Sequence, residues 1–469
     1  MVDIAVVGAG TMGAGIAESA ALSGMSVAML DVREEALNRG RQTIERDLER
    51  RLKKGRLSEE ERREVLGRVS MTTSVEDCSG ASLVIEAVVE DMEVKRKVFA
   101  DLEGVVGDET VLATNTSSLS VAGIAAATKR PERVVGMHFF NPVPAMRLVE
   151  VVAGPSTDPS ALRRAEEVSE SLGKTPVRVS DTPGFIVNRV ARPFYLEALR
   201  LVEAGGDPGQ VDAAIRGAGF RMGPLELADL IGHDINLAVS ESLYERSYGQ
   251  PRFRPSPVQR GMVEAGLLGR KTGQGFYEYG SSANGGGAQP PESVDPGDVT
   301  IVGDAELARA LGAGSDGGRI QVLALGDGET VAGSGSEVGI RRLTLDTPVV
   351  ELVGETDEKT RDRVDSLIRA AGLTPAWVPD LPGGAALRLI AALVNEAAFA
   401  LAEGVASAAD IDRAMQLGAN YPKGPLAWAD ELGLARVVRT LDALRDIHGD
   451  AYVCAPLLRQ RHVLNRPMS

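Results

Sequence analysis

The sequence predicts an α/β domain, then an all-α domain, and then a degenerate second copy of this arrangement. Three observations predict this order. Short β-rich runs alternate with longer helical patterns over the first 150 residues, β character fades after Asp181-Thr182-Pro183-Gly184, and related motifs return about 200 residues later. Alternating strands and helices are typical of a parallel sheet covered by helices, whereas a continuing helical pattern is typical of a separate helical domain.

Composition and charge restrict the class of protein. The chain has 469 residues, of which 43% are hydrophobic and 25% charged, as in globular proteins of two to four domains. The net charge of −15 opposes binding to nucleic-acid phosphates. The only cysteines, Cys78 and Cys454, form no disulfide framework, and charged and amide residues interrupt the apolar stretch 385–402. We expect a cytoplasmic protein with no nucleic-acid partner, no membrane span and no cleaved secretory segment.

Five β-rich runs predict the strands of the first sheet. A segment dense in Arg and Glu, with leucines at helical spacing, separates the second run from the third and predicts an inserted helical pair over 34–68, with a turn at Lys54-Gly55. The predicted strands are Ile4–Val7, Ser26–Leu30, Leu83–Ile85, Val111–Ala113 and Val134–Met137.

The first strand runs directly into a glycine-rich loop, Gly8-Ala9-Gly10-Thr11-Met12-Gly13, which opens a helix. In a Rossmann-type fold, such glycines permit a tight turn, a close approach of a pyrophosphate, and close packing of helix on strand. Asp31 ends the second strand, where a carboxylate binds the adenosine ribose and disfavours a 2′-phosphate. NAD is therefore the expected cofactor, although nearby Arg33 leaves NADP open. The alternative is a glycine turn in a protein that binds no nucleotide.

An internal repeat predicts the organisation of the second half. Leu148-Val149-Glu150-Val151-Val152 returns as Val349-Val350-Glu351-Leu352-Val353. The Thr-Pro pair at 175–176, the Pro-Gly pair at 183–184 and the Gly-Pro-Leu motif at 223–225 return after it in the same order. We predict a Rossmann domain over 1–182, a helical substrate and dimerisation domain over 183–280, and a linker over 281–298. A degenerate Rossmann remnant over 299–380 and a second, non-catalytic helical domain over 381–469 complete the prediction.

Four ordered motifs give the first 280 residues a resemblance to a known family. They are Thr114-Asn115-Thr116-Ser117-Ser118, then 136–144 with the sequence Gly-Met-His-Phe-Phe-Asn-Pro-Val-Pro, then 183–189 with Pro-Gly-Phe-Ile-Val-Asn-Arg, and finally 271–277 with Lys-Thr-Gly-Gln-Gly-Phe-Tyr. The chain resembles the L-3-hydroxyacyl-CoA dehydrogenases. Its second copy resembles that of tandem members, which act in bacterial fatty-acid or aromatic-acid breakdown.

The resemblance implies an active site. His138 is implied as the base that takes the hydroxyl proton, because an imidazole suits proton transfer near neutral pH. Glu150 is implied as the carboxylate that orients His138. Ser117 and Asn188 are implied to hold the substrate oxygens. Without the resemblance, His138 and Glu150 would be interpreted as packing or edge residues, and Ser117 and Asn188 as capping residues.

The resemblance also implies binding residues beyond the glycine loop. Glu90, Lys95, Asn141 and Lys271 are implied to contact the cofactor. Lys54, in the charged helical pair, is implied to meet an anionic part of coenzyme A, although a lysine in such a helix is more often simply solvated.

The second copy departs from the pattern at the predicted site. Leu387 stands at the position of Asn188, Gly384 stands at that of Phe185, and no histidine precedes Glu351. We therefore expect one NAD per chain and a structural role for the second copy. The chain is expected to be a monomer with an internal pseudo-dimer, or a homodimer.

Two other functions remain open from the sequence. A dehydrogenase of the same fold that oxidises a sugar acid such as gulonate shares the nucleotide loop and the His-Glu pair. A non-catalytic nucleotide-binding scaffold, with the duplicated domain as its functional part, belongs to another class. A metal site is not expected, since the four histidines show no ligand spacing with cysteines or acids.

Overall fold

The computed structural model describes residues 2–280, 299–313, 320–332, 334, 336–344 and 346–468. The predicted linker, 281–298, lies outside the described residues. The chain forms two compact units, one of Met1–Arg189 with Glu403–Ala419 and one of Val190–Ala402 with Asn420–Ser469. Each unit therefore contains residues from both halves of the sequence.

An eight-stranded sheet in the order β3-β2-β1-β4-β5-β6-β7-β8 forms the centre of the first unit. All neighbouring strands are parallel except β6 and β7, which are antiparallel. The alternating pattern predicted a parallel sheet, and the five predicted strands, β1, β2, β4, β5 and β6, are all parallel to one another. The antiparallel pair involves β7, which was not among them. The strands are β1 (Ile4–Val7), β2 (Val27–Leu30), β3 (Val69–Thr72), β4 (Leu83–Glu86), β5 (Val111–Thr114), β6 (Val134–Phe139), β7 (Leu148–Ala153) and β8 (Thr175–Ser180).

Helices cover this sheet, and the predicted helical pair over 34–68 is present as α2 and α3. Gly55, with a φ of +64°, lies between them. Ser58 and Glu61 then cap α3 reciprocally through side-chain to backbone hydrogen bonds. The first seven helices are α1 (Thr11–Leu22), α2 (Glu34–Lys53), α3 (Glu59–Gly67), α4 (Met92–Glu103), α5 (Val121–Ala125), α6 (Pro159–Ser171) and α7 (Val187–Val190).

The remaining helices come from both copies of the repeat. In the second unit, α8 packs against α15, and a buried aromatic cluster joins Phe194 and Phe220 to Tyr421 and Trp428. These helices are α8 (Arg192–Glu203), α9 (Pro208–Gly217), α10 (Pro224–Ile231), α11 (His233–Arg246), α12 (Pro257–Glu264), α13 (Ala305–Leu311), α14 (Glu358–Ala370), α15 (Ala386–Ala402), α16 (Ala408–Gly418), α17 (Pro425–Leu432), α18 (Leu434–His448) and α19 (Pro456–Val463). No helix in the described part of the chain is long and apolar enough to cross a membrane.

A five-stranded sheet in the second unit repeats part of the first. Its order is β13-β12-β11-β10-β9, and only β11 and β12 are antiparallel. The order and the directions of these five strands are the same as those of β8, β7, β6, β5 and β4 in the first sheet. Among the described residues, this second sheet has no counterpart of β1, β2 and β3. The strands are β9 (Val299–Val302), β10 (Ile320–Ala324), β11 (Val338–Arg341), β12 (Val349–Val353) and β13 (Thr374–Trp377). The predicted fold class is confirmed.

The two copies exchange one helix. In the first unit, α16 packs on β7 and β8, although α16 belongs to the second copy. In the second unit, α9 of the first copy packs on β12 and β13. Because α9 and α16 occupy matched positions of the repeat, each helical copy supplies the same helix to the other copy's sheet.

Candidate active site

The glycine loop has the geometry that a dinucleotide requires. Gly8 adopts a φ of +103°, and a Cβ on it would lie 2.6 Å from the carbonyl oxygen of Ala87. A Cβ on Gly13 would overlap the carbonyl oxygen of Gly8, whereas a Cβ on Gly10 would meet no atom within 4 Å. Thr11 and Met12 form the first turn of α1 beside this open face. The loop therefore leaves room for a pyrophosphate at a helix N-terminus.

Asp31 lines a cleft of about 1100 Å³ beside this loop. Its Oδ2 accepts a hydrogen bond of 2.9 Å from the Ala9 N–H, and its Oδ1 accepts one of 3.1 Å from the Arg33 N–H. Two backbone donors thus hold the carboxylate where a ribose would reach it. Val32 and Val89, which are 88% and 66% exposed, line the same cleft. Such exposed valines suit the faces of an adenine ring, so the cleft fits NAD.

A buried ionic network supports the loop that carries Ser117. The Nζ of Lys95 lies 2.6 Å from Glu86 Oε1 and 3.4 Å from Glu90 Oε2, and the Lys95 side chain is 1% exposed. Glu90 Oε1 accepts hydrogen bonds from Thr116, Ser117 and Ser118. Burial alone would raise the pKa of Glu90, but the Lys95 charge and these donors hold it below its ordinary value. Lys95 therefore orders the loop through two carboxylates.

His138 and Glu150 face each other across the antiparallel strands β6 and β7. His138 Nδ1 lies 2.6 Å from Glu150 Oε2. The other carboxylate oxygen of Glu150 accepts 2.9 Å hydrogen bonds from the N–H groups of Ile186 and Val187. Both carboxylate oxygens are thus used, and Glu150 is fully buried. The pair is held between a strand and the turn that opens α7, with His138 Nε2 on the side away from the carboxylate.

Two aromatic rings pack beside the His138 imidazole, and an amide holds the backbone next to it. Its ring centroid lies 4.4 Å from that of Phe140 and 5.8 Å from that of Phe185. Phe185 has a φ of +51°, which is costly for a bulky residue, so this turn departs from ordinary geometry beside the His-Glu pair. Asn115 Oδ1 accepts the Phe139 N–H at 2.9 Å, which ties the end of β6 to the loop after β5.

Ser117 and Asn188 also meet in the first unit. The Asn188 side-chain amide donates to the Ser117 carbonyl oxygen at 3.3 Å, and the Ser117 hydroxyl donates to Glu90 Oε1 at 3.3 Å. Both side chains are only partly buried. Two polar groups that can hold substrate oxygens are therefore anchored to the Glu90 loop and to α7, the two segments that flank the His-Glu pair.

Three predicted binding residues lie outside this arrangement. Asn141 is exposed after β6, and Lys54 is exposed at the end of α2. Lys271 belongs to the second unit, where its ammonium pairs with Asp234. Their predicted contacts with cofactor or coenzyme A stay predictions.

The sequence did not predict the residues that contact and hold the candidate catalytic and binding residues. Glu86 is fully buried and joins β4 to Lys95 and to the hydroxyl of Thr114. The available signal was an acid directly after the apolar run Leu83-Val84-Ile85, because a carboxylate buried there requires a partner. Phe140 and Phe185 were within quoted motifs, but their contacts with His138 could not be predicted from spacing.

The second sheet has a different pair at the matched position. Arg341 on β11 stands opposite Glu351 on β12, as His138 stands opposite Glu150. Glu351 accepts the N–H groups of Ala385 and Ala386 at 2.9 and 2.7 Å, one on each carboxylate oxygen, whereas Glu150 accepts those of the α7 turn on one oxygen. Burial raises the pKa of Glu351. A guanidinium remains protonated at neutral pH, so Arg341 cannot act as a base.

Comparisons with known proteins agree with this geometry. The family described as "3-hydroxyacyl-CoA dehydrogenase, NAD binding domain" matches residues 3–182, and "3-hydroxyacyl-CoA dehydrogenase, C-terminal domain" matches both 184–279 and 383–467. The chain is 43% identical to the 3-hydroxyadipyl-CoA dehydrogenase of Escherichia coli K12, over 98% of this chain and 97% of that one.

Two further relatives show the same likeness. The chain is 46% identical to a 3-hydroxybutyryl-CoA dehydrogenase of Mycobacterium tuberculosis, over 59% of this chain and 98% of that one. A crystal structure described as 3-hydroxybutyryl-CoA dehydrogenase from Escherichia coli K12 superposes with a TM-score of 0.89 at 41% identity, covering 99% of this chain and 98% of that chain. The relatives are enzymes, so the non-catalytic alternative is wrong. The chain belongs to the 3-hydroxyacyl-CoA dehydrogenase family and is an NAD-dependent oxidoreductase.

Proposed function

We propose that the protein reversibly oxidises an L-3-hydroxyacyl-CoA to the 3-ketoacyl-CoA in fatty-acid or aromatic-acid catabolism, with His138 as the general base. The observation that carries this proposal is the 2.6 Å contact between His138 Nδ1 and Glu150 Oε2. A carboxylate at this nitrogen favours the tautomer with a proton on Nδ1, which leaves the Nε2 lone pair for the substrate hydroxyl.

Proton transfer follows from this arrangement. As the hydroxyl proton moves to Nε2, the imidazole becomes an imidazolium, and the buried Glu150 carboxylate stabilises its charge. NAD, when bound, supplies the acceptor for the hydride that leaves C3. In the reverse direction, His138 returns its proton to the oxygen that develops on C3 of the ketone.

Ser117 and Asn188 hold the substrate beside this base. The Ser117 hydroxyl can turn from Glu90 toward the 3-oxygen, and the Asn188 amide can donate to the thioester carbonyl. Glu90, Asn141 and Lys271 are proposed to contact the cofactor, and Lys95, whose side chain is 1% exposed, is proposed to act on it through Glu90. Lys54, exposed at the end of α2, meets an anionic group of coenzyme A.

A panel of thioesters tests which acyl group the protein prefers. Relatives that cover nearly the whole chain are named for two substrates, 3-hydroxyadipyl-CoA and 3-hydroxybutyryl-CoA. We expect the protein to oxidise NADH with 3-ketoacyl-CoAs. Steady-state kcat/KM for chains of four to sixteen carbons, together with a dicarboxylic thioester of six carbons, identifies the preferred group. Failure to reduce any of these thioesters would contradict the proposal.

A comparison of two activities distinguishes oxidation of a sugar acid from oxidation of a hydroxyacyl thioester. Turnover of acetoacetyl-CoA with NADH is measured beside turnover of gulonate with NAD. The family match and the names of the relatives support the thioester. Activity on gulonate alone would establish the alternative.

The second copy is proposed to be structural, with boundaries near residues 281, 299 and 381. Arg341 and Leu387 replace the base and the amide of the first copy, and the second sheet lacks the strands that would carry a glycine loop in its described part. One chain therefore binds one NAD, and its two helical copies form an internal pseudo-dimer. Titration of the full-length protein with NADH should give one site per chain.

Truncation after Gly280 tests the structural role. The shortened chain lacks α16 and so exposes apolar surface on β7 and β8 that α16 covers. We expect it to form a homodimer in which each chain offers α9 to the other's sheet, or to aggregate. Size-exclusion chromatography with light scattering measures the state. A truncated chain that stays monomeric, does not aggregate and is fully active would contradict this role.

A further inference from the structure

Helix α16 lies directly against the segments that hold the His-Glu pair. Its last residue, Gly418, is so close to them that a Cβ there would lie 2.6 Å from Leu148 Cδ2 and 2.9 Å from Val187 Cγ2. Leu148 begins β7, the strand of Glu150, and Val187 begins α7. A helix from the second copy therefore reaches two residues that adjoin the active site of the first.

The segment before α16 is tied to the same unit by polar contacts. The Ser180 N–H donates to the Val405 carbonyl oxygen at 2.8 Å, and the Ser180 hydroxyl donates to that of Gly404 at 2.9 Å. Glu403 Oε2 lies 2.8 Å from Arg189 Nη1, one residue after Asn188. The helix thus has a defined position at the end of β8 and beside α7.

Val187 connects this helix with proton transfer. Its N–H, with that of Ile186, is bonded to Glu150 Oε1, while Glu150 Oε2 holds His138. Both oxygens of the Glu150 carboxylate are hydrogen-bonded. A shift of the Val187 backbone therefore displaces this carboxylate and changes its contact with His138. The β-branched Val187 cannot swing its methyl groups away freely, whereas Leu148 can change the rotamer of its outer carbons.

We propose that α16 is a positioning element for the His138–Glu150 pair and acts through the contact of Gly418 with Val187. This inference rests on the proposed function. It assigns to the second copy a role in the geometry of the first copy's active site, in addition to covering its sheet.

Gly418→Ala tests the proposal in the full-length protein. The added methyl group displaces α7, so we expect kcat for acetoacetyl-CoA reduction to fall about tenfold, since sub-ångström misplacement of catalytic groups is costly. The KM for NADH should stay within twofold, because α16 packs on β7 and β8, whereas the glycine loop and Asp31 follow β1 and β2, which three strands separate from β7. An unchanged kcat would overturn the proposal.

Gly217→Ala is the matched control. Gly217 ends α9 as Gly418 ends α16, and a Cβ on it would lie 2.5 Å from Cβ and Cγ2 of Val349 on the second sheet. It creates the same kind of overlap beside Glu351, which has no histidine opposite it. We expect a similar loss of Tm in both variants and a kcat within twofold of wild type in Gly217→Ala. Equal losses of kcat in the two variants would mean general destabilisation and would overturn the proposal.

A second substitution tests the route of the effect. Val187→Ala removes the methyl groups that oppose the one added by Gly418→Ala. The double variant should therefore regain at least half of the kcat that Gly418→Ala loses, with Val187→Ala alone as the reference. Restoration by Leu148→Ala instead would overturn the route through Val187. If the wild-type protein is inactive on every 3-ketoacyl-CoA, the proposed function is wrong. If the wild type is active and Gly418→Ala retains full activity, only the positioning role of α16 is wrong.

Discussion

Replacing His138 with Ala lowers kcat by about 10²–10⁴-fold, because general acid–base catalysis typically contributes that much to a rate. The variant also leaves a space beside Phe140 and Phe185. His138→Gln fills most of this space and still offers Glu150 a hydrogen-bond donor, yet it supplies no base. Both variants should therefore lose activity to a similar extent, although the glutamine variant should keep a Tm closer to that of the wild type.

Steady-state turnover of acetoacetyl-CoA and NADH measures this loss. Fluorescence titration with NADH supplies the control, because the glycine loop and Asp31, which line the cleft proposed for the adenosine half of the cofactor, are unchanged in both variants. We expect the dissociation constant of NADH to stay within about threefold of wild type. Normal turnover in either variant would falsify the assignment of His138 as the base.

Glu150→Gln should lower kcat by about a hundredfold or more, with the fold largely retained. Its carbonyl oxygen can still accept the N–H groups of Ile186 and Val187, but its NH₂ group then faces His138 Nδ1. Two donors cannot share that contact, so the imidazole must turn or adopt the other tautomer, and the imidazolium loses its compensating charge.

Glu351→Gln is the matched control for this substitution. Glu351 is also buried and accepts two backbone N–H groups, one on each oxygen, but it stands opposite Arg341. Because a glutamine NH₂ group leaves one of these N–H groups without an acceptor, we expect this variant to lower Tm at least as much as Glu150→Gln and to keep kcat within twofold of wild type. If Glu351→Gln proved as inactive as Glu150→Gln, loss of the buried carboxylate rather than loss of the His-Glu contact would account for both.

Local sequence patterns predicted much of the fold. The five predicted strands match β1, β2, β4, β5 and β6 to within two residues at their ends, because continuous apolar runs mark strands that are buried on both faces. The edge strand β3 was not predicted, since Val69-Ser70-Met71-Thr72 is half exposed and follows a charged helical segment. The antiparallel turn from β6 to β7 was not predicted either, because strand direction depends on how the connection folds.

The candidate site was predicted by residue type and family resemblance, and geometry then supplied its connections. The predicted strand ended at Met137, before His138, whereas His138 and Glu150 both lie within strands and directly face each other. Lys95, expected at the cofactor, is buried against Glu86 and Glu90. Such ion pairs join residues from different strands and loops, and spacing along the chain carries no information about them.

The sequence by itself determined the glycine loop, the acid that follows it, the implied His-Glu pair and the existence of a second copy without that pair. These depend on local backbone requirements and on residue chemistry, which a linear pattern records. Only the tertiary structure decided that α16 of the second copy completes the sheet of the first, while α9 of the first copy completes the sheet of the second. The two helices stand at matched positions of the repeat and both bury an apolar face, so the local pattern alone does not say which sheet each helix covers. Which one each sheet receives depends on the path of the whole chain.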